Sequence, residues 1–400
     1  MQTNSKIASP QRNKRRPAGN QIKRNNPAKK STLDPEKLIQ QAITTSQETT
    51  ITVETRFEEM NLHSQLKTNI HKMGFVSPTE IQDKTYQKLV EGENLIGIAN
   101  TGTGKTGAFL IPILERLLQN NQQPFQSLII VPTRELALQV YDEFKKLSEG
   151  LKIKAACYIG GTNVEKDIRS LNNHFDLIIG TPGRLIDLKQ RGRLKLNQFE
   201  VLVLDEFDKM LDMGFIRDIR ELVGGMKQRR QTLLFSATKD PKQQTIINEI
   251  VRNPFIVEIH SGNKSSENVT QDIIKVAEGQ DKYSLLLNLL DDSSFNKVIL
   301  FTETKHLANR LTKKLNASGI KSDQIHGNKS QNYRIKALEN FKNGSIRILV
   351  ATDVAARGID VNNVSLVINY QVPQSFDTYI HRIGRTGRAG KTGTAYTFVD

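Results

Sequence analysis

From Phe57 to about His260 the chain repeats one pattern, a short apolar run followed by a longer polar or amphipathic stretch. The runs are Leu95–Ala99, Ser127–Val131, Ala155–Ile159, Asp176–Ile179, Val201–Leu204, Gln231–Phe235 and Phe255–Ile259. Their length predicts strands, and the stretches between them predict helices. A second series follows at Asp272–Val276, Lys297–Phe301, Ser322–Ile325, Arg347–Ala351, Ser365–Ile368 and Thr394–Phe398. Between the two series, Ser-Gly-Asn-Lys-Ser-Ser-Glu-Asn at 261–268 has linker composition. Such alternation predicts an α/β chain of two tandem domains, each a mostly parallel sheet flanked by helices. The boundaries drawn from it are 51–260 and 270–400, with a linker at 261–269. In sheets of this kind ligands bind beyond the carboxyl ends of the strands.

The first 50 residues break the pattern. They are rich in Asn, Gln, Lys, Arg, Ser and Thr, with prolines at 10, 17, 27 and 35. So little apolar surface cannot offset the entropy of ordering, which predicts a disordered basic N-terminal tail over 1–50. Its basic part, from Lys14-Arg15-Arg16 through Lys23-Arg24 to Lys29-Lys30, suits an RNA tether, with a solubilising tail and a nuclear targeting signal as alternatives. The net charge of the 400-residue chain is +15, which predicts a polyanionic partner. A membrane surface would need an apolar face beside the basic one, and the tail lacks it. No run approaches the 18 or so apolar residues of a membrane span, and the polar start carries no signal-peptide core. The expected location is therefore cytoplasmic. A single cysteine, Cys157, excludes an intrachain disulfide framework and a cysteine-based zinc cluster, and its apolar neighbours predict a core position.

Chemistry gathers just after the predicted strands. Ala99-Asn-Thr-Gly-Thr-Gly-Lys105-Thr106 follows Leu95-Ile-Gly-Ile98 and opens a helix-forming segment, the order of a phosphate loop. The glycines at 102 and 104 let successive N–H groups of Thr101, Gly102, Thr103 and Gly104 point into one concavity at a helix N-terminus. Lys105 would then reach the β/γ-phosphates, and the Thr106 hydroxyl would ligate Mg²⁺. The strict pattern has Gly where this chain has Ala99. After Val201-Leu-Val-Leu204 comes Asp205-Glu206-Phe207-Asp208. Asp205 fits the second half of the metal site, and Glu206 could orient or deprotonate the attacking water. Adjacent acids on a surface helix would be a solvated face, but here they end a buried strand, where an unpaired carboxylate is costly.

With these in place the chain resembles a DEAD-box RNA helicase in order from Phe57 to Phe398. The segments are Gly74-Phe-Val-Ser-Pro-Thr-Glu-Ile-Gln82, Ala99–Thr106, Pro132-Thr-Arg-Glu-Leu-Ala137, Gly160-Gly161, Thr181-Pro-Gly-Arg184, Asp205–Asp208 and Ser236-Ala-Thr238. They continue with Phe301-Thr302, His326-Gly327 with Gln331 and Arg334, Ala351-Thr-Asp-Val-Ala-Ala-Arg-Gly-Ile-Asp360, and His381-Arg-Ile-Gly-Arg-Thr-Gly-Arg388. The resemblance implies two tandem RecA-like domains and an RNA-dependent ATPase and helicase that separates short duplexes when the domains close. It makes Gln82 the adenine-reading residue, its amide offering both a donor and an acceptor. Phe57 would stack on the base, although by itself it reads equally as core, and Asp360 would lie near the ribose. Arg385 and Arg388, three apart, become arginine fingers reaching the γ-phosphate on closure, with Arg382 in support. The alternative is that this arginine-rich segment binds nucleic acid directly.

Thr133, Arg134, Gly161, Thr181 and Arg184 follow strands of the first domain, and Thr352 lies on the matching edge of the second. Such residues contact a sugar-phosphate backbone without reading bases, so little sequence preference is expected. The resemblance implies a single RNA strand bent across both domains. Ser236 and Thr238 would sit beside Asp208 and couple the metal site to the domain interface, with Asp353 and Arg357 on the opposite wall. The expected cofactors are ATP and Mg²⁺. Expected partners are single-stranded RNA and short RNA duplexes, with ribonucleoprotein partners besides, and the chain itself monomeric.

Three positions depart from the family pattern: Glu80 where Pro is usual, Asn100 where Gln is usual, and Phe207 where Ala is usual. Overpacking by a ring typically costs ~1–3 kcal/mol. Strand neighbours alternate faces, so Phe207 is expected to point away from the nucleotide, leaving ATP binding intact and RNA-stimulated turnover altered. The family usually continues past the last strand, so the end at Asp400 is read as either a cut sequence or a minimally finished domain. Two rival readings stand beside the helicase: an ATP-dependent RNA clamp with low turnover, which Phe207 would favour, and a DNA helicase or translocase.

Overall fold

The computed structural model describes residue 1 and residues 34–44, 53–100, 102–119, 125–238, 241–259, 269–353, 361, 364–387 and 392–400. Among the described residues thirteen strands form at or beside the runs read from the sequence. In the first lobe they are β1 Leu95–Ile98, β2 Gln126–Ile130, β3 Ala155–Tyr158, β4 Leu177–Gly180, β5 Phe199–Leu204, β6 Gln231–Ser236 and β7 Phe255–Glu258. In the second they are β8 Val269–Lys275, β9 Val298–Thr302, β10 Ser322–Ile325, β11 Ile348–Thr352, β12 Leu366–Asn369 and β13 Gly393–Val399. The sheet orders are β3-β4-β2-β5-β6-β1-β7 and β10-β11-β9-β12-β13-β8, and all their pairings are parallel. The RecA-like architecture expected from the resemblance is present.

Parallel strands joined by helices are buried on both faces, which explains why the runs are continuously apolar. The side chains nevertheless alternate. Leu128 and Ile130 enter one hydrophobic cluster while Ile129 and Val131 enter another on the opposite face. In the second lobe Val298 and Leu300 face one side, Ile299 and Phe301 the other. Each such side chain contributes about 1.5–3 kcal/mol of burial, so one charged substitution here would break a layer. Helices begin sharply after strands because a hydroxyl caps them: Thr133 Oγ1 accepts from the Leu136 N–H at 3.2 Å, and Thr304 Oγ1 from the Leu307 N–H at 3.3 Å.

Two sequence expectations change. Within the stretch assigned to a disordered tail, Pro35–Thr44 is a helix. Leu38 is 3% exposed and joins the core of the second lobe with Val269, Tyr379 and Ile383. Glu36 pairs with Lys275 at 3.2 Å. The start signal was local: Asp34 Oδ1 accepts from the Glu36 N–H at 3.1 Å with Pro35 at the first helical position, and the average composition of 50 residues hid it. The basic run 14–30 lies outside the described residues. The linker drawn at 261–269 is also one residue too long, because Val269 pairs with Gly393 as the first residue of β8.

Candidate functional site

The phosphate loop hangs from the interior of the first sheet. β1 runs between β6 and β7, and the Ala99 N–H donates to Ser236 O at 2.9 Å, carrying the register one residue past the strand. Gly102 and Gly104 then take φ of 86° and 90°, values side-chain-bearing residues rarely adopt. Thr103 Oγ1 donates to Asn100 O at 2.9 Å and closes the turn. The helix Lys105–Gln119 starts at the lysine itself, whose Nζ donates to Ala99 O at 2.8 Å. Gln82 packs on this loop. Its Oε1 accepts from the Thr79 N–H at 2.9 Å and its Nε2 donates to Gly104 O at 2.9 Å. A Cβ on Gly104 would lie 2.6 Å from Thr79 Oγ1, so only glycine allows this approach.

β5 delivers the acids. Asp205 is buried, and its Oδ1 accepts from the Glu206 N–H at 2.9 Å. Burial pushes the Asp205 carboxyl up to about 6 against the pull of Lys105. Glu206 has φ 53° and ψ 49°, left-handed for a residue with a side chain, a conformation costing about 1–3 kcal/mol that clusters at functional sites. Burial would raise its carboxyl too, but Lys209 and Lys105, with Arg385 beyond, hold it below its ordinary value. Phe207 is fully buried and packs with Leu204, Met210, Ile219 and Leu234. The ring therefore points into the core, as expected, but not by strand alternation: Phe207 opens the helix Phe207–Asp212 after the left-handed Glu206. Asp208 Oδ2 accepts from the Ala237 N–H at 3.2 Å. The Ser236 hydroxyl instead donates to Thr238 O at 2.9 Å, so the 236–238 turn meets Asp208 through its main chain.

Arg385, from the second lobe, lines the same cavity of about 330 Å³ as Phe57, Gln82, Lys105, Thr106, Asp205 and Glu206. Its Nε donates to His381 O at 3.1 Å. Arg382 faces the other way and is held by its own lobe. Its Nε and Nη2 donate to the two Asp353 oxygens at 2.6 and 2.8 Å, and its Nη1 donates to Asn369 Oδ1 at 3.1 Å. Asp353 is thus tied to Arg382. Thr101, Arg357, Asp360 and Arg388 lie outside the described residues.

The first-lobe residues assigned to RNA lie close to one another. Thr133 and Thr181 both stand at helix N-caps. Arg134 lies over the Gly160-Gly161 turn so closely that a Cβ on Gly161 would be 2.5 Å from Nη1. Arg184 is committed within its lobe, to the Asp167 carboxylate and to Thr162 O at 2.7 Å. Thr352 ends β11 beside Thr302 of β9. Sequence reasoning gave Arg134 an RNA contact, but foresaw neither its bond across the lobes nor a role for Glu135. Arg134 Nη1 donates to Gln331 Oε1 at 3.1 Å, Gln331 Nε2 donates to Glu135 Oε1 at 3.3 Å, and Arg334 pairs with Glu135 at 3.0 Å. Gln331 and Arg334 stood in a recognised segment, but their partners lie far off in the chain: those of Gln331 are 197 and 196 residues away.

The donor set suits a hard divalent cation shared with a triphosphate: a hydroxyl at Thr106 and a buried carboxylate at Asp205, whose burial disfavours carrying its charge unpartnered. Among the described residues no group of three or more His, Cys, Asp or Glu could hold a metal unaided. Among the same residues no helix is long and apolar enough to cross a membrane.

Residues 79–246 match the family model of the DEAD/DEAH box helicase, and residues 281–390 that of the helicase conserved C-terminal domain. The chain is 43% identical over 345 residues to a DEAD-box ATP-dependent RNA helicase CshA of Geobacillus kaustophilus, covering 86% of this chain and 73% of that one. It is likewise 43% identical over 354 residues to an ATP-dependent RNA helicase RhlB of Pseudomonas syringae, covering 86% of this chain and 89% of the other. The fold is similar to Mss116p bound to single-stranded RNA and AMP-PNP, with a TM-score of 0.78 and 32% identity over 88% of this chain and 76% of that chain. It is also similar to S. cerevisiae Dbp5 bound to RNA and ADP BeF3, with a TM-score of 0.75 and 30% identity over 86% and 89% of the two chains.

Proposed function

The chain belongs to the DEAD-box ATP-dependent RNA helicases, ATP hydrolases with RNA helicase activity, and on that premise we propose that it separates short RNA duplexes locally when its two lobes close on ATP and RNA. The observation that carries the proposal is the cavity shared between lobes, where Arg385 of the second stands with Lys105, Asp205 and Glu206 of the first. ATP binds with its adenine between Phe57 and Gln82 and its phosphates on the 101–106 loop. Lys105 leaves Ala99 O for the β/γ-phosphates. Thr106 and Asp205 would hold Mg²⁺, which when bound would supply neutralising charge to the triphosphate. Glu206 accepts a proton or hydrogen bond from the water that attacks the γ-phosphorus. The bond to the bridging oxygen breaks, and ADP and phosphate leave. Arg385, with Arg388, balances the charge that builds on the transferred group.

RNA is held along Thr133, Arg134, Gly161, Thr181 and Thr352, with Arg184, tied to Asp167 and Thr162 O, bracing the turn beside them. The Glu135–Arg334 and Arg134–Gln331 contacts favour the closed arrangement beside that track. Because the phosphate loop and the arginine sit on different lobes, hydrolysis requires closure, and RNA spanning both lobes promotes it. The working molecule is a cytoplasmic monomer that acts on RNA alone or within ribonucleoproteins. The clamp reading loses its support, since Phe207 lies in the core rather than among the acids.

The test is steady-state ATPase activity with and without single-stranded RNA, using single-stranded DNA as control. Stimulation of about tenfold or more by RNA alone is expected. Tight ATP and RNA binding without turnover would replace the helicase with a clamp, and equal stimulation by DNA would replace it with a DNA translocase.

A further inference from the structure

Three residues beyond the acidic pair lies a charge that the mechanism above leaves unused. Lys209 is 3% exposed, and its Nζ reaches Glu206 Oε1 at 2.6 Å. Exposed pairs at this spacing contribute little, whereas a buried ammonium stays charged only where a partner compensates its lost hydration. The contact is also one-sided. Glu206 Oε1 is occupied, while Oε2 is buried without a hydrogen-bond partner in a residue that lines the nucleotide cavity.

The surroundings explain why a clamp on this carboxylate matters. The Glu206 backbone is set by its left-handed turn, so the side-chain torsions are what remains to be fixed. Asp208 acts on the same ammonium and holds the Ala237 N–H of the turn after β6. Arg385 acts on it from the second lobe. Lys209 therefore stands where the water-handling carboxylate, the 236–238 turn and the opposite lobe meet.

We infer that Lys209 is a positioning residue for hydrolysis, which holds Glu206 by Oε1 so that Oε2 is the acceptor presented to the attacking water. The inference deepens the ATPase reading and rests on it. It predicts a defect confined to the chemical step, because Lys209 touches Glu206 without itself lining the nucleotide cavity.

The experiment compares wild type, Lys209→Met, Lys209→Arg, Glu206→Gln and the Glu206→Gln/Lys209→Met double variant at saturating RNA. Lys209→Met should lower kcat by about tenfold or more, with KM for ATP and the affinity for a non-hydrolysable ATP analogue within about twofold of wild type. Lys209→Arg should recover most of the loss. In the Glu206→Gln background the same Lys209→Met change should cost less than about twofold, since its effect runs through that carboxylate. Equal losses in both backgrounds would mean a general packing role and overturn the inference. So would a Lys209→Met enzyme as fast as wild type, or faster, the latter meaning that Lys209 restrains Glu206. Should Lys209→Met fail to bind the analogue, Lys209→Gln is judged by the same criteria. A wild type without RNA-stimulated turnover would bring down the ATPase reading first and this inference with it.

Discussion

The two sheets have corresponding strands, and the contrast between corresponding ends shows how the work is divided. β1 and β8 occupy matching places beside β6 and β13. β1 is covered by β7 on its other side and is buried along most of its length. β8 is an edge strand with much of its length partly exposed. A loop that must hold phosphates within tenths of an ångström needs a strand fixed from both sides, and only β1 supplies one. Beyond β8 the chain runs through Glu278 and Asp281, charges that would repel a phosphate.

β5 and β12 diverge in the same way. β5 leads directly into Asp205 and Glu206, whereas β12 ends in Asn369, whose amide binds Thr397 and Arg382. A neutral amide lets the second lobe carry arginines at its face, where the first lobe carries acids and a lysine. One lobe binds the nucleotide and the other supplies the charge that completes the site.

The largest test of that division is Arg385→Ala. It should lower RNA-stimulated kcat by roughly 10³-fold or more while leaving the affinity for an ATP analogue within about fivefold, because the cavity groups that hold the adenine and phosphates, Gln82, Lys105, Thr106 and Asp205, lie in the first lobe. A comparable loss of nucleotide affinity, measured by titration, would mean that the lobes share binding as well as catalysis. Next is Phe207→Ala. Emptying a fully buried ring position typically costs about 3–5 kcal/mol of stability, and the melting temperature should fall accordingly. Turnover per folded molecule should change little, in contrast to the altered turnover expected from sequence. A variant that melts like wild type but hydrolyses ATP at a different rate would put the ring back in the catalytic site.

The contact between the lobes gives the third test. Removing one partner of a buried ion pair costs about 3–5 kcal/mol, and Glu135 and Arg334 meet across the lobes. Glu135→Ala should therefore raise the RNA concentration for half-maximal stimulation by roughly tenfold or more, because weaker closure is paid back as weaker RNA binding. Basal ATP affinity should be nearly unchanged. An unaltered RNA requirement would show that this pair adds nothing to closure.

What could be read in the sequence follows from the range of each signal. Most of the described strands were legible because a strand buried on both faces writes itself as a local apolar run, as Val201-Leu-Val-Leu204 does, whereas the edge strand β8 is only half apolar and its start was misplaced. The phosphate loop was legible because its glycines, lysine and threonine are contiguous. Gln331, Glu135 and Arg334 were not, because their meeting depends on how two lobes pack. The commitment of Arg184 to Asp167 was equally hidden: nothing in Thr181-Pro-Gly-Arg184 says that a carboxylate 17 residues earlier awaits it. Lys209 reads in sequence as an ordinary polar helix residue, and only its burial against Glu206 gives it meaning. The helix Pro35–Thr44 shows the opposite failure, a local signal overruled by the average of its surroundings.

The smallest expected effect concerns the cationic edge of the second lobe. His326 is almost fully buried, with Nδ1 unpartnered and Nε2 beside Asn309 Oδ1 at 3.3 Å. Burial, then the charges of Lys329, Lys305, Arg334 and His306, hold it below its ordinary value of 6.5. A histidine whose folded value lies below its unfolded one leaves stability intact above the unfolded value. As pH falls from there through the folded value, the unfolded chain takes up the proton first, and stability is lost. The melting temperature of wild type should therefore drop more between pH 7.5 and pH 5 than that of His326→Gln, with the two curves separating below about pH 6.5. Curves that stay parallel would mean that His326 protonates as readily in the folded lobe as in the unfolded chain. The cationic edge would then tolerate another positive charge, and the contrast with the acid-bearing first lobe would be weaker than drawn here.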